Sequence, residues 1–306
     1  MSGGDTYTYR FEPVVACVMC GSTGAKTLGR RLNGHQGLRP RRAVGVATTV
    51  VQCRACGLIY ANPRPVPETL AQHYDRPPEE YWQARYFEQE VDYFGYYADR
   101  FRRLWSGTGV PRALDVGAGL GKAMAALERR GFETFGIEPS AAFHSRATAN
   151  GIDPDRLQLA EVEDAEYEPG SFDFVSFASV LEHLHDPAAA LTRVLEWLAP
   201  NGLIFVEVPS ARWLLARLLN RAHRTRGLDY VTNLSPMHPP YHLYEFTLDS
   251  FSRHGQHTSY EVIDHRFVPC DTFLPRHAGA FARRVMAATD TGMMLEVWLR
   301  QANRAE

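Results

Sequence analysis

The chain has 306 residues, of which 45% are hydrophobic and 22% are charged, and its formal net charge is −2. This composition is typical of a globular protein, and the longest apolar runs are far shorter than the roughly 20 residues that cross a bilayer. A membrane-spanning, disordered or repeat-built chain is therefore excluded, and the length predicts a large domain with a smaller one. The N-terminal residues lack the apolar stretch of a secretory signal peptide, so we expect a cytoplasmic protein.

Four of the five cysteines form two CxxC pairs, each followed directly by glycine. A CxxC turn directs both sulfurs to one point, and two such turns supply four thiolates for a tetrahedral zinc ion. With all four positions taken by sulfur, the site is expected to be structural. The sequence therefore predicts bound Zn²⁺ held by Cys17, Cys20, Cys53 and Cys56.

Charge is unevenly distributed, since residues 1–62 carry a net charge of +6 and residues 63–306 carry −8. Several of the basic residues lie between the two cysteine pairs: Arg30, Arg31, Arg39, Arg41 and Arg42. Two interpretations are open, a solvated β-hairpin of a zinc ribbon or an anion site for phosphate, nucleotide or RNA. We favour the hairpin, because arginine clusters are common on protein surfaces.

A proline-rich connection at 62–67 ends this first segment, and residues 68–105 are predicted to be helical with a break at Pro77-Pro78. The helical segment is dense in aromatic residues. It either packs on the main domain or forms a lid over a small-molecule pocket. Tyr81 follows the proline break, where the chain could cross the mouth of a cofactor pocket.

From residue 112 the pattern alternates between apolar strands and helices, which predicts a parallel sheet covered on both faces. Strands are predicted at 112–116, 133–137, 157–160, 172–177 and 202–208, and helices at 122–130, 141–150 and 187–198.

A glycine loop, Gly117-Ala118-Gly119-Leu120-Gly121, follows the first of these strands and opens a helix. Its GxGxG spacing alone is a weak signal, and it differs from the dinucleotide pattern GxGxxG. Glu138, however, ends the next strand, where a carboxylate can accept hydrogen bonds from both hydroxyls of a ribose. The combination predicts a nucleoside-containing ligand whose other end lies against the loop amides.

Four segments in this order closely resemble the motifs of the class I S-adenosylmethionine (SAM) methyltransferases: LDVGAGLG at 114–121, GIEPS at 136–140, GSFDFVSFASVLEHLHDP at 170–187 and NGLIFVEVP at 201–209. The resemblance covers about residues 110–268. The leading CxxC…CxxCGLIYANPRP segment also resembles the zinc ribbon that precedes some bacterial methyltransferases of natural-product and sugar pathways.

The resemblance implies an α/β fold with a seven-stranded Rossmann-like sheet whose last strand is antiparallel, completed by strands at 259–268 and about 292–300. It also implies a zinc-ribbon domain at 1–62, a linker and helical lid at 63–105, and a SAM-binding domain at 106–306 with a lid insertion at 210–240.

The family's SAM-binding positions carry over residue by residue. The first motif, which holds the methionine end of SAM, supplies Asp115, Gly117, Gly119 and Gly121, and Glu138 matches the acid on the ribose. Glu161 lies where the family often has an acid near the adenine. Phe177 and Ala178, with Ser179, follow the fourth strand, where backbone groups meet the methionine portion and the acceptor.

Methyl transfer to an oxygen or carbon also requires that the acceptor lose a proton. The loops at the carboxyl ends of the fourth and fifth strands contain the candidate bases Glu182, His183, His185, His238 and His242. Family members often have a histidine in an HLxxFT stretch, which His242 matches, so His242 is the first candidate, followed by His183 and Glu182. The alternative is that His242 only anchors its loop and that His183 only caps or packs beneath its own.

An EH pair such as Glu182-His183 binds a divalent metal in ubiquinone-pathway O-methyltransferases and small-RNA 2′-O-methyltransferases, together with a carboxylate three residues upstream. Ser179 occupies that upstream position here, so we predict no catalytic metal.

The insertion at 210–240 is predicted to contain an amphipathic helix with leucines on one side and arginines on the other. We favour a cover with a solvated face. The alternative is a lid that selects an anionic acceptor, such as a nucleotide-linked sugar or a carboxylate.

The resulting prediction is SAM-dependent O- or C-methylation of a small molecule, in a secondary-metabolite or nucleotide-sugar pathway, with a histidine base. One alternative is an RNA methyltransferase that grips RNA with its basic ribbon, which the sequence pI of 6.6 and the acidic body oppose. Another is a non-catalytic SAM-binding zinc protein, which the intact motifs oppose.

Overall fold

The computed structural model of the chain describes residues 9–33, 46–67, 93–238, 240–270 and 276–302. Tyr81, the predicted helical segment at 68–92, and three arginines of the basic segment (Arg39, Arg41 and Arg42) lie outside the described residues.

Five short strands occupy the N-terminal part: β1 (Tyr9–Glu12), β2 (Ala25–Leu32), β3 (Ala47–Cys53), β4 (Ile59–Ala61) and β5 (Arg64–Pro67). Strands β2 and β3 form an antiparallel hairpin, β4 pairs with β3, and β1 pairs separately with β5. The hairpin that we favoured between the two cysteine pairs is therefore present.

The body of the protein contains eight further strands in the described residues: β6 (Arg112–Val116), β7 (Glu133–Ile137), β8 (Leu157–Gln158), β9 (Phe172–Ala178), β10 (Leu198–Pro209), β11 (Tyr244–Glu245), β12 (Tyr260–Val268) and β13 (Met294–Gln301). The described helices are α1 (Gly95–Leu104), α2 (Lys122–Glu128), α3 (Ala141–Ala149), α4 (Pro187–Trp197), α5 (Leu214–Thr225), α6 (Leu248–Thr258) and α7 (Arg276–Ala288).

Seven of the body strands form one sheet in the order β12-β13-β10-β9-β6-β7-β8. The neighbours from β10 to β8 run parallel, whereas β13 is antiparallel to both β10 and β12. The predicted seven-stranded class I sheet with an antiparallel last strand is thus confirmed. Because the parallel strands meet at one edge with their carboxyl ends, the loops after β6, β7, β9 and β10 lie close together.

Element bounds differ from the prediction by up to four residues. Strand β10 begins at Leu198 rather than at Gly202, because Leu198 already pairs with Phe172 and an irregularity separates this pair from the ladder that resumes at Leu203. Helix α2 ends at Glu128, ahead of Gly131, which adopts the left-handed conformation with φ +76°.

Helix α1 is the part of the aromatic segment that the structure describes, and it packs on the sheet. Phe94 and Phe101 are at most 1% exposed, and both rings contact Phe174 of β9. This part of the segment therefore contributes to the core, as the packing interpretation expects.

Strand β11 of the body completes the sheet formed by β2, β3 and β4 of the N-terminal part, which we call the ribbon. In the four-stranded sheet β11-β4-β3-β2, Tyr244 of β11 pairs with Tyr60 and Glu245 pairs with Ile59. Met19, Leu58 and Tyr60 are buried in the same apolar cluster as Leu114 of the central strand. The ribbon and the body therefore share both a sheet and a core.

Thr247 joins the second cysteine turn to helix α6. Its hydroxyl donates a hydrogen bond to the carbonyl oxygen of Cys56 at 2.5 Å. As the N-cap of α6, Oγ1 of Thr247 also accepts a hydrogen bond from the amide of Ser250 at 3.1 Å. One side chain thus satisfies a carbonyl in the ribbon and a helix amide in the body.

We expect Thr247→Val to lower the free energy of unfolding by about 2 kcal/mol, because it removes an N-cap and leaves the Cys56 carbonyl without its donor. Thr247→Ser keeps the hydroxyl and should stay within about 0.5 kcal/mol of the natural protein. Urea unfolding of the two variants measures the difference, and equal losses in both would contradict this role of the hydroxyl.

Candidate functional site

The glycine loop after β6 holds three residues in the left-handed conformation, since the φ angles of Gly117, Gly119 and Gly121 are +71°, +57° and +71°. Other residues rarely adopt this conformation. A Cβ atom on Gly117 would also lie 2.6 Å from Val180, and one on Gly121 would lie 2.3 Å from Ile152. The loop therefore requires glycine both for its path and for its close packing.

Glu138, at the end of β7, reaches this loop. Its carboxylate accepts hydrogen bonds from the amides of Gly119 and Ser140, both at 2.8 Å, and the residue is 6% exposed. Burial raises the pKa of Glu138, and the two backbone donors oppose that rise. A carboxylate offers about four acceptor positions, so two remain for the hydroxyls of a ribose.

Asp115 lies beneath the loop rather than in it. It is 4% exposed and accepts a hydrogen bond from Ser176 of β9 at 2.6 Å, and burial raises its pKa to about 7. The hydrogen bond ties the two central strands together directly below the glycines.

The other residues predicted to contact SAM differ in how far they are exposed. Glu161 is exposed in the turn after β8, the Phe177 side chain is fully buried in the core, and Ala178 ends β9 half-buried. Ser179 follows with a φ of +58° and donates to Glu207 of β10 at 3.2 Å. Phe177 can therefore meet a ligand only through its backbone.

The structure brings together the three predicted catalytic residues, Glu182, His183 and His242. The Nε2 atoms of His183 and His242 lie 3.9 and 3.8 Å from Oε1 of Glu182, and the two imidazole rings meet edge to face with centroids 5.0 Å apart. One potential ligand atom from each lies within 4.8 Å of the others. The cluster could therefore share a proton or hold a divalent cation.

Electrostatics distinguish the members of this cluster. Glu182 is fully buried, and no other described residue donates a hydrogen bond to its carboxylate. Burial raises its pKa well above the usual range, and the nearby charge of Glu207 adds to the rise. Burial also lowers the pKa of His242 well below its usual value, helped by the neighbouring His183. His242 is therefore a neutral imidazole near pH 7.

Two hydrogen bonds position the segments that carry the candidate catalytic residues. The amide of Leu243 donates to the carbonyl of Glu182 at 2.8 Å, and the amide of His242 donates to the hydroxyl of Ser235 at 3.2 Å. The loop after β9 and the segment before β11 consequently meet at this point.

Arg64, in the proline-rich connection, fixes the far end of the β9 loop. It is 9% exposed and donates to the carbonyl of His185 and the hydroxyl of Tyr244, both at 2.7 Å. His185, one of the candidate bases, instead contacts Arg64 and Glu12 and so anchors the end of this loop.

His238 lies beside Arg31, 3.3 Å from its guanidinium, and burial lowers the pKa of His238 to about 4. It is close enough to His242 for its charge to oppose protonation there.

A second group of buried acids, which was not predicted, lies between α1, β10 and β13. The hydroxyl of Tyr97 on α1 lies 3.0 Å from the carboxylates of both Glu207 and Glu296, and Arg266 binds Glu296 through two hydrogen bonds of 2.8 and 2.7 Å. Burial, and then the charge of Glu296, raise the pKa of Glu207. The sequence does carry a signal for these buried acids, because Glu207 in IFVEVP and Glu296 in MMLEVW are charged residues within otherwise apolar strands.

The four N-terminal cysteines converge as predicted. The Sγ atoms of Cys17 and Cys56 are 3.6 Å apart, as are those of Cys20 and Cys53, and all four lie within 4.8 Å of one another. Zinc–sulfur bonds of about 2.3 Å in a tetrahedron require sulfur–sulfur distances of about 3.8 Å. The donor set and its spacing fit a structural zinc ion. The backbone amides of Gly21 and Gly57 close the two turns by donating hydrogen bonds to the carbonyl oxygens of Cys17 and Cys53.

No helix in the described ranges combines the length and the apolar composition needed to span a bilayer.

A family model described as a methyltransferase domain matches residues 86–265. Among curated proteins, the ubiquinone biosynthesis O-methyltransferase of Aeromonas salmonicida is 31% identical over 99 residues, which are 31% of this chain and 42% of that protein. The Cronobacter sakazakii protein of the same name is 27% identical over 149 residues, 46% of this chain and 56% of that one. The chain thus spans about half the length of the curated relatives it matches.

Two solved structures are similar in fold. A SAM-dependent methyltransferase from Mesorhizobium loti matches with a TM-score of 0.49 and 18% identity, over 69% of this chain and all of that one. A SAM-dependent methyltransferase from Archaeoglobus fulgidus matches with a TM-score of 0.49 and 13% identity, over 71% and 97%. By the extent of the family match and by the order of its sheet, the chain belongs to the methyltransferase domain family and has the class I fold.

Proposed function

We propose that the protein is a SAM-dependent methyltransferase that acts on a small molecule and carries a structural zinc ion in its ribbon. The observation that carries the proposal is the placement of two groups at one edge of the sheet. Glu138 and the glycine loop form a nucleoside-binding end, and Glu182, His183 and His242 form a proton-accepting end.

At the nucleoside end, Glu138 accepts both ribose hydroxyls with the acceptor positions that Gly119 and Ser140 leave open. The backbone at Ala178 and Ser179 lies at the carboxyl end of β9, where the methionine portion would extend toward the acceptor. Glu161, which is exposed, faces solvent at the adenine side.

SAM, when bound, supplies a methyl group on a positively charged sulfonium. The residues of this chain then have to orient the acceptor and remove its proton. We assign proton removal to Nε2 of His242, which is neutral near pH 7 because burial lowers its pKa. The proton that leaves the acceptor stays on Nε2 of His242, and the imidazolium that forms lies 3.8 Å from Oε1 of Glu182, whose ionised form would stabilise it.

A small, oxygen-bearing acceptor is supported by the relatives named as ubiquinone biosynthesis O-methyltransferases. The acidic body, with a net charge of −8 over residues 63–306, disfavours a polyanionic acceptor at the catalytic edge. Methylation of RNA through the basic ribbon remains the competing function, and a non-catalytic SAM-binding role is the third.

We expect Glu138→Gln to weaken the binding of SAM and of its product S-adenosylhomocysteine by about 10- to 100-fold, because each ribose hydroxyl loses a charged acceptor. Glu133→Gln is the matched control, since Glu133 begins the same strand but is half-exposed and pairs with Arg112 at the surface. Isothermal titration with S-adenosylhomocysteine measures both. Equal affinities in the two variants would remove Glu138 from the cofactor site.

For His242→Gln, turnover should fall by about 10²- to 10⁴-fold while the affinity for S-adenosylhomocysteine stays within about twofold, since only the base is removed. His257→Gln serves as the control, because His257 is an exposed histidine on α6.

In the natural protein the rate of methyl transfer should be independent of pH above about 6.5, because His242 is already deprotonated there.

The turnover measurement requires a known methyl acceptor. We identify it by incubating the protein and methyl-labelled SAM with a host extract divided into small-molecule and RNA fractions. Label in the small-molecule fraction that disappears with His242→Gln supports the proposal. Label in RNA would replace it with the competing function, and SAM binding without transfer to either fraction would favour the non-catalytic role.

We expect the purified protein to contain one zinc ion per chain, measured by elemental mass spectrometry. Replacing Cys53 and Cys56 with serine should abolish the zinc and lower the melting temperature, because these thiolates close the site and the ribbon shares the body's core. Cys270→Ser is the control, because Cys270 lies outside the cluster. Full zinc content in the double variant would rule out this ligand set.

A further inference from the structure

A cleft of about 750 Å³ separates the ribbon from helix α5. The ribbon contributes residues of β2, β3 and β4 to one wall, and α5 with the turn before it contributes the other. An adjoining cleft of about 580 Å³ shares Lys26, Gln52 and Arg212 with it but has a mixed charge, since Arg54, Asp249 and Asp290 also line it. Volumes of this size are typical of small-molecule sites.

The charge of the cleft is one-sided. Its described lining contains five cationic side chains and no acid: Lys26, Arg212, Arg217, Arg221 and Arg224. Within the described part of the chain, none of these five forms an ion pair with a carboxylate. Five like charges around one cavity repel one another, and an anion in the cavity would relieve that repulsion.

The arginines are ordered along the helix. Arg217, Arg221 and Arg224 are spaced i, i+4 and i+7, so they form a row along one side of α5, and that row faces the cleft. Guanidinium groups in such a row can each bind a phosphate oxygen pair.

The floor of the same cleft is apolar. Ile59 is 3% exposed, and it meets Leu28 and Ala211 in a small hydrophobic cluster between ribbon and body. Leu214 and Leu218 of α5 add to this lining, and Leu218 remains 53% exposed. A site with an apolar floor and a cationic rim suits a ligand that has both kinds of surface.

We propose that this cleft binds a small ligand in which an apolar or aromatic group carries a diphosphate. The apolar group lies on Leu28, Ile59 and Leu218, and the diphosphate lies against the arginine row of α5 and Lys26. Such a group could belong to a nucleoside diphosphate or to a prenyl diphosphate.

The cleft is connected to the acceptor side of the protein by a chain of hydrogen bonds. Asn220 of α5 donates to Asn233 at 2.7 Å, and Asn233 donates to Glu245 of β11 at 2.5 Å. Glu245 also accepts from the amide of Leu234, in the segment that leads to His242. The ligand would therefore contact the helix that braces the segment carrying His242, without touching the catalytic cluster itself.

The test is isothermal titration of the zinc-loaded full chain, saturated with S-adenosylhomocysteine so that nucleotides cannot enter the cofactor site. The probes are uridine diphosphate, geranyl diphosphate, inorganic pyrophosphate and a ten-nucleotide single-stranded RNA. The variant Arg217→Gln/Arg221→Gln removes two lining charges. Its control, Arg226→Gln/Arg253→Gln, removes two exposed arginines that do not line the cleft.

We expect at least one of the two organic diphosphates to bind, with an affinity that falls at least tenfold in the lining variant and less than twofold in the control. Pyrophosphate should bind more weakly than that ligand. Leu218→Ser should weaken the organic diphosphate but leave pyrophosphate unchanged. Which of the two ligands binds identifies the source of the apolar group.

Three results would overturn the proposal: no binding of either organic diphosphate at millimolar concentration, equal binding in the lining and control variants, or tighter binding of the RNA than of both small ligands. None of these results bears on methyl transfer, because the readout is binding at a cleft outside the catalytic cluster. The affinity of E138Q and the turnover of H242Q test that function separately.

Discussion

The pairing of two short strands, β4 of the ribbon with β11 of the body, determines how the two ends of this protein meet. Tyr244 and Glu245 supply the body's share of the ladder, and their side chains leave it in different directions. The hydroxyl of Tyr244 binds Arg64 and the carbonyl of His185, which fixes the β9 loop, whereas Glu245 binds Asn233 on the α5 side. The β9 loop, the ribbon and the α5 insertion are therefore positioned by the same two residues.

The second organising feature is a set of buried carboxyl groups whose hydrogen bonds do not fully offset the cost of removing their charge from water. Glu138 retains two backbone donors, Glu207 accepts from the hydroxyls of Tyr97 and Ser179, and Glu182 has no donor from another described residue. Burial raises the pKa of all three carboxyl groups, and it raises that of Glu182 well above the usual range because no such hydrogen bond stabilises its charged form. A single sheet edge can thus offer one carboxylate suited to accepting hydrogen bonds from hydroxyls and another suited to exchanging a proton with histidine.

Much of the fold could be predicted because local signals and global order agreed. Strands β6 and β7 were predicted to the residue, since apolar runs ended in a glycine loop and in Glu138, and Ser140 caps α3 as expected. Strand order placed the loops of Glu182 and His242 at one edge of the sheet, but the sequence did not predict that these two side chains meet. The β4–β11 pair was not predictable, because two residues carry no periodicity, and the Tyr97–Glu207–Glu296 group depends on contacts between elements distant in sequence.

The contact between a basic ribbon and an acidic body should favour opposite charges across the boundary, and Arg30 of the ribbon does pair with Asp229 of the body at 3.3 Å. At the cleft the rule is reversed, because the body presents the arginine row of α5 to Lys26 of the ribbon. A boundary that pairs opposite charges at Arg30 and brings like charges together at one concave point favours a third, anionic component at that point over a solvated surface.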